Sequence, residues 1–142
     1  MIAMILSLII LILSESRPLV EVEINGRPAV MLVDTGSSVS VIDINQLDDY
    51  GASMGRSAGI TLRGIGDKAD VVYVRDAIVS AKGVLMHQFV AYDLSGIIEA
   101  IYITTGIRIT GIIGYPQIRQ AEMIIDSNNN VIQLGYGSSI SR

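Results

Sequence analysis

Val30-Met31-Leu32-Val33-Asp34-Thr35-Gly36-Ser37-Ser38 decides how this chain is read. Four apolar residues run directly into an aspartate, and small polar residues follow. An aspartate at the end of a buried strand is costly unless its carboxylate is hydrogen-bonded or paired. Thr35, Ser37 and Ser38 supply hydroxyls beside it, and Gly36 permits close approach of another backbone or a positive φ. Two readings fit this stretch alone. One is a strand ending in an Asx turn, since Asp, Thr, Gly and Ser are ordinary turn residues. The other is a carboxylate placed for chemistry.

The flanking sequence is strand-like. Leu19–Ile24 alternates apolar and charged residues with period two, and Asn25-Gly26 is a strong hairpin signal. Strands are expected at 28–33, 39–42, within 60–74 around a glycine-bearing turn, within 77–94 around Lys82-Gly83, and at 107–114. A final hairpin over 122–134 turns on Ser127–Asn130. Residues 43–58 read as irregular, with a helical turn at 44–50. A short helix is expected over 95–105, capped by Ser95 and stopped by Gly106, and a further turn over 116–121. Many short strands with close turn signals indicate an all-β barrel or sandwich.

Composition narrows the chemistry. The 142 residues suit one domain. Half are hydrophobic, with 24 Ile and 13 Val, which favours strands and excludes disorder. No cysteine is present, so disulfides, thiolate nucleophiles and Cys-ligated zinc are excluded. A single histidine, His87, excludes a multi-histidine metal site. The net charge of -4 argues against a nucleic-acid-binding surface. Carboxylates are left as the source of chemistry.

Residues 2–13 form an apolar run broken only by Ser7. It is short for a transmembrane helix, which needs about 20 residues. It lacks the basic start of a signal peptide. A strand or interface segment and a membrane-proximal segment over residues 1–14 both stay open. The expected organisation is an apolar segment 1–16, a domain 17–135 and a flexible tail 136–142.

Taken together, these motifs resemble the retropepsin-like aspartic proteases. Asp34-Thr35-Gly36-Ser37 after an apolar strand matches their active-site motif. Arg17-Pro18-Leu19-Val20, the Asn25-Gly26 turn and Leu32–Gly36 resemble the opening third of a retroviral protease in order and spacing. Gly64-Ile65-Gly66, about 30 residues after Asp34, resembles the tip of the flap, and Ile112-Ile113-Gly114 the apolar-apolar-Gly element behind the active site. The helical insertion between Asp93-Leu94-Ser95 and Gly114 is similar to bacterial and mobile-element relatives. The resemblance covers about residues 17–135. It implies an all-β, closed barrel-like acid-protease fold with a glycine-tipped flap hairpin and one or two short helices.

The resemblance also implies a mechanism. Aspartic proteases use two carboxylates about 3 Å apart that share one proton. This chain has one Asp-Thr-Gly. Asp126-Ser127-Asn128, the nearest imitation, lacks the glycine. A homodimer with one Asp34 per subunit on the two-fold axis is therefore implied. In it, Thr35 bonds across the axis, Gly36 admits the substrate backbone, and Ser37 donates to the ionised carboxylate. Gly64, Ile65 and Gly66 close over an extended peptide or protein substrate, while Leu32, Val39, Val41, Leu62 and Ile112 line side-chain subsites. No metal or organic cofactor is required. Ser38 stands where retroviral relatives carry the aspartate that pairs with the equivalent of Arg17. The expectation is an aspartic endopeptidase that processes a specific protein, cytoplasmic and encoded by a bacterium or mobile element, or else membrane-associated through residues 1–14. The competing reading is a catalytically silent protein that keeps this fold as a binding or structural component.

Overall fold

The computed structural model describes residues 8–14, 17–61 and 70–135. Its strands are, in chain order, β1 Leu8–Leu11, β2 Leu19–Ile24, β3 Arg27–Val33, β4 Ser40–Asp43, β5 Ser53–Thr61, β6 Asp70–Arg75, β7 Val79–Ala81, β8 Val84–Met86, β9 Phe89–Tyr92, β10 Gly111–Ile113, β11 Ile124–Asp126 and β12 Val131–Leu134. Helices α1 Ser95–Thr105 and α2 Tyr115–Gln120 accompany a 3-10 segment at Ile44–Tyr50.

The β2–β3 hairpin forms for the reason its sequence gives. Val20, Val22 and Ile24 are buried while Glu21 and Glu23 face solvent. Asn25 and Gly26 both take positive φ, 52° and 79°, as a two-residue turn matched to strand twist requires. The Asn25 side chain does more than turn the chain. It donates to the carbonyls of Tyr50 and Asp76 and accepts from the Ile78 amide, tying two segments to the hairpin.

Nine strands form one sheet in the order β5-β6-β9-β4-β10-β3-β2-β7-β8. The chain thus adopts the expected all-β acid-protease fold. Among the described strands, however, the sheet ends at β5 and β8 and does not close on itself. Strand β10 lies between β3, to which it is parallel, and β4, to which it is antiparallel. Both faces of the central strands are buried, because successive side chains alternate sides. Met31, Val33, Ile42, Ala91 and Ile113 enter one hydrophobic cluster. Leu32, Val41, Val90, Tyr92 and Ile112 enter the other, which α1 covers with Ile98 and Ile101.

A second sheet has the order β1-β12-β11, with Leu8 opposite Leu134. Ile132 and Leu134 of β12 are buried in the first cluster, while Ile9 and Leu11 of β1 are exposed. Part of the apolar amino-terminal run is therefore a strand paired within the chain. Among the described residues, no helix is long and apolar enough to cross a membrane.

Several local expectations are corrected. Residues 53–61 form a strand, β5, although Gly, Ser and Ala disfavour one. The ladder to β6 supplies the stability, with register shifts at Met54/Ser57 and Ser57/Thr61. The region 77–94 is not one hairpin. It turns at Lys82-Gly83, but β9 leaves to pair in parallel with β4. The strand expected over 107–114 is confined to β10. Helix α1 has the expected span and ends on Gly106 at φ 72°, yet Ser95 is not its cap. The Asp93 carboxylate instead accepts from the Ser95 amide at 3.0 Å and from the Ser95 hydroxyl.

The Ser95 hydroxyl, then the Ser95 amide, and more weakly Asn45, hold the Asp93 carboxyl below the usual aspartate value. A depressed folded-state pKa stabilises the fold above the unfolded-state value, and that stability is lost as pH falls through the folded-state value. Asp93→Ala should therefore melt below the wild type at neutral pH. Acid titration of both proteins, followed by circular dichroism, should show the gap narrowing as pH drops through the depressed value.

Candidate active site

Asp34 follows the last residue of β3. By strand alternation it shares a face with Leu32, on the side of the α1-covered cluster. Its amide donates to the Ile113 carbonyl at 2.9 Å, so β10 fixes the point where the strand ends. The loop then turns tightly. The Ser37 amide donates to the Asp34 carbonyl at 3.1 Å, and the Gly36 amide to Asp34 Oδ1 at 2.9 Å. Asp34 is half-buried, and Thr35 and Gly36 are exposed. The chain thus presents a carboxylate held from below by backbone and open toward solvent.

One expected contact differs. The Ser37 hydroxyl donates to the Val39 carbonyl at 2.7 Å, not to Asp34. Within the chain, the Gly36 amide is the donor to the carboxylate. It is an Asx-turn bond, so the turn reading and the site reading describe the same geometry.

The loop is fastened to the start of α2. The Tyr115 amide donates to the Ser37 carbonyl at 2.8 Å, and the Gly114 amide to Ser40 Oγ at 2.7 Å. A Cβ on Gly114 would lie 2.2 Å from the Val39 carbonyl oxygen and 2.9 Å from that of Ser37. Glycine is required here by backbone-to-backbone contact, not by a positive φ. Gly111, at the other end of β10, meets the Val41 carbonyl in the same way, at 2.3 Å.

Of the residues expected to line subsites, Leu32, Val41 and Ile112 are brought together. Ile112 lies opposite Leu32 on one side and Val41 on the other. All three are buried in the single chain, and Val39 packs against their cluster half-exposed. Leu62, Gly64, Ile65 and Gly66 lie outside the described residues, between β5 and β6. Among the described residues, no group of three or more His, Asp or Glu side chains converges as metal ligands. Sequence reasoning missed two buried polar residues behind the loop, Ser40 and Gln117, which sit at 0% and 2% exposure. A serine opening a strand and a glutamine in a one-turn helix carry no periodicity that would single them out.

Residues 20–116, well over half of the chain, match the aspartyl protease family profile, and the chain belongs to that family. The structure is similar to the retroviral protease-like domain of Ddi1 from Leishmania major, with a TM-score of 0.54 and 16% identity, covering 83% of this chain and 87% of that one. It is also similar to EIAV protease complexed with the inhibitor HBY-793, with a TM-score of 0.49 and 24% identity, covering 72% and 86%. The match to the Ddi1 domain shows a retroviral protease-like fold. A search of curated proteins gave no significant match.

The glycine contacts yield a paired test. Gly114→Ala forces a methyl into two carbonyl oxygens and should cost about 3 kcal/mol or more. Gly96→Ala, in α1 with open space around the new methyl, should be neutral or stabilising by about 0.5–1 kcal/mol. Urea denaturation of the two variants beside the wild type measures both.

Proposed function

We propose that this chain is an aspartic endopeptidase that acts as a homodimer, with Asp34 of each copy meeting at the two-fold axis. The observation that carries this reading is a single carboxylate at the end of a central strand, on an exposed Asp-Thr-Gly-Ser turn pinned to β10. One such loop per chain supplies half of a dyad, and a second copy related by two-fold symmetry supplies the other half. Membership of the aspartyl protease family supports the chemistry.

In the dimer, one carboxylate is ionised and its neighbour carries the proton. The ionised group takes a proton from a water held between them, and the water oxygen adds to the scissile carbonyl carbon. The protonated group gives its proton to the carbonyl oxygen, forming a neutral tetrahedral diol. Proton transfer to the amide nitrogen then lets the C–N bond break. Two products leave, a carboxylic acid and an amine. Gly36, exposed beside the carboxylate, leaves room for an extended substrate backbone. Val39, half-exposed and backed by the buried Leu32, Val41 and Ile112, favours apolar side chains flanking the cleaved bond, as do Leu62 and Ile65 by the same reading. The flap residues Gly64 and Gly66 close over the peptide, and Thr35 bonds across the axis. Selective processing of a defined protein suits such a cleft better than broad digestion. The protease unit spans residues 17–135.

Asp34→Asn keeps an oxygen to accept the Gly36 amide, so the fold should survive. Incubated with a diverse peptide mixture and read by mass spectrometry, the wild type should cut between apolar residues and the variant should not. Specific activity of the wild type should rise with protein concentration until sedimentation shows the dimer complete. Cleavage that persists in Asp34→Asn would remove the mechanism.

A further inference from the structure

Behind the Asp34 loop runs a buried chain of hydrogen bonds that the cleavage chemistry does not itself use. The Gly114 amide donates to Ser40 Oγ at 2.7 Å, and Ser40 Oγ donates to Gln117 Oε1. The Gln117 amide nitrogen donates to the carbonyls of His87 at 2.5 Å and Gln88 at 3.3 Å. One turn along α2, Gln120 grips the same corner. Its Oε1 accepts from the His87 amide at 2.8 Å and its Nε2 donates to the His87 carbonyl at 3.3 Å.

The direction of this chain is forced. Two carbonyl oxygens face one end of the Gln117 amide, so that end is the NH2 and the other is the oxygen. An oxygen facing Ser40 obliges the hydroxyl to donate there. Its lone pair is thereby left for the Gly114 amide. Gly114 is the residue whose backbone presses on the Ser37 and Val39 carbonyls. Its neighbours Ile113 and Tyr115 bond Asp34 and Ser37 directly. The side chain of Gln117 therefore sets how the whole loop from Asp34 to Ser40 is seated, without approaching the carboxylate. A leucine or methionine would fill the space, but it would leave the buried Ser40 hydroxyl without its acceptor and two carbonyls without their donor.

We propose that Gln117 is a positioning residue for Asp34, acting through Ser40 and Gly114 and anchoring the catalytic loop to the His87-Gln88 corner. The proposal rests on the reading of Asp34 as the catalytic carboxylate. Gln117→Glu is the informative variant. As a neutral acid, glutamate both accepts from Ser40 and donates to a carbonyl. Once ionised it can only accept, and it faces carbonyl oxygens with a negative charge.

The full chain is used for the test, well below the lower melting temperature of each pair compared. With a peptide that the wild type cleaves, kcat of Gln117→Glu relative to wild type should be near one in acid. It should fall about tenfold as the new carboxyl ionises, with KM nearly unchanged, the loss a misaligned reacting group produces. Ser40→Ala should lower kcat to a similar degree at all pH values, and the Ser40→Ala, Gln117→Leu double variant should be no worse than the poorer single one. A residue that only supports stability would shift melting without adding a pH step to kcat. In parallel, hydrogen exchange should quicken at least tenfold for the Gly114 and Tyr115 amides in Gln117→Leu relative to the β2–β3 amides. A flat kcat ratio across pH, or unchanged Gly114 exchange, in the presence of an active wild type overturns the proposal alone. A wild type that cleaves nothing overturns the reading of Asp34, and the catalytic role of Gln117 with it.

Discussion

The architecture depends on one close contact, the backbone of β10 laid against β4 and the loop that precedes it. Glycines at both ends, Gly111 and Gly114, let carbonyl oxygens of Val41, Val39 and Ser37 occupy the space a side chain would take. Between them Ile112 and Ile113 point to opposite faces and enter different hydrophobic clusters. A three-residue strand thereby joins β3 to β4 and divides the interior in two. Without it the Asp34 amide would lose its acceptor, the Ile113 carbonyl, and β3 would be held by β2 alone. The seat of the carboxylate and the packing of the domain are the same set of atoms.

This identity explains the composition of the loop. The polar groups on its inner side are used. Gly36 serves the carboxylate, Ser37 closes on Val39, and Ser40 receives Gly114. Among the described residues, no buried side-chain nitrogen or oxygen lacks a partner. In a low-dielectric interior a fully satisfied network is rigid, and a partly satisfied one costs stability. The carboxylate lies on the open side of the loop with the exposed Thr35 and Ser38, while Ser37 and Ser40 are committed inward.

Much of this was legible in the residues. Asn25-Gly26 fixed a hairpin because only a few residue pairs tolerate two positive φ values in succession. Ile112-Ile113-Gly114 and Asp34-Thr35-Gly36-Ser37 could be matched as motifs because close contacts restrict them to few residue types. Ser127–Asn130 marked the last hairpin. What was not legible lacked a local cause. Strand β5 is imposed by β6 on a segment of small residues, and β9 departs from its apparent hairpin to satisfy β4 across the sheet. Ser95 is not the cap because helix α1 starts on it, with Leu94 at the cap position and the Asp93 carboxylate taking the Ser95 amide and hydroxyl. Gln117 carried no signal in the sequence, because Ser40 and the His87-Gln88 corner converge on it from distant parts of the chain.

The small sheet of β1, β12 and β11 has a consequence for how the protein is made. Leu8 lies opposite Leu134, so the first described strand finds its hydrogen-bonding partner almost a chain length away. Closing so long a loop carries an entropic cost that no local contact offsets in advance. During synthesis β1 emerges well before β12 and stays without its strand partner until β12 has cleared the ribosome. The interval is one in which a nascent chain is exposed to wrong strand partners, including other copies of itself. The vulnerability therefore lies at birth and in this small sheet, apart from the central strands of the larger one.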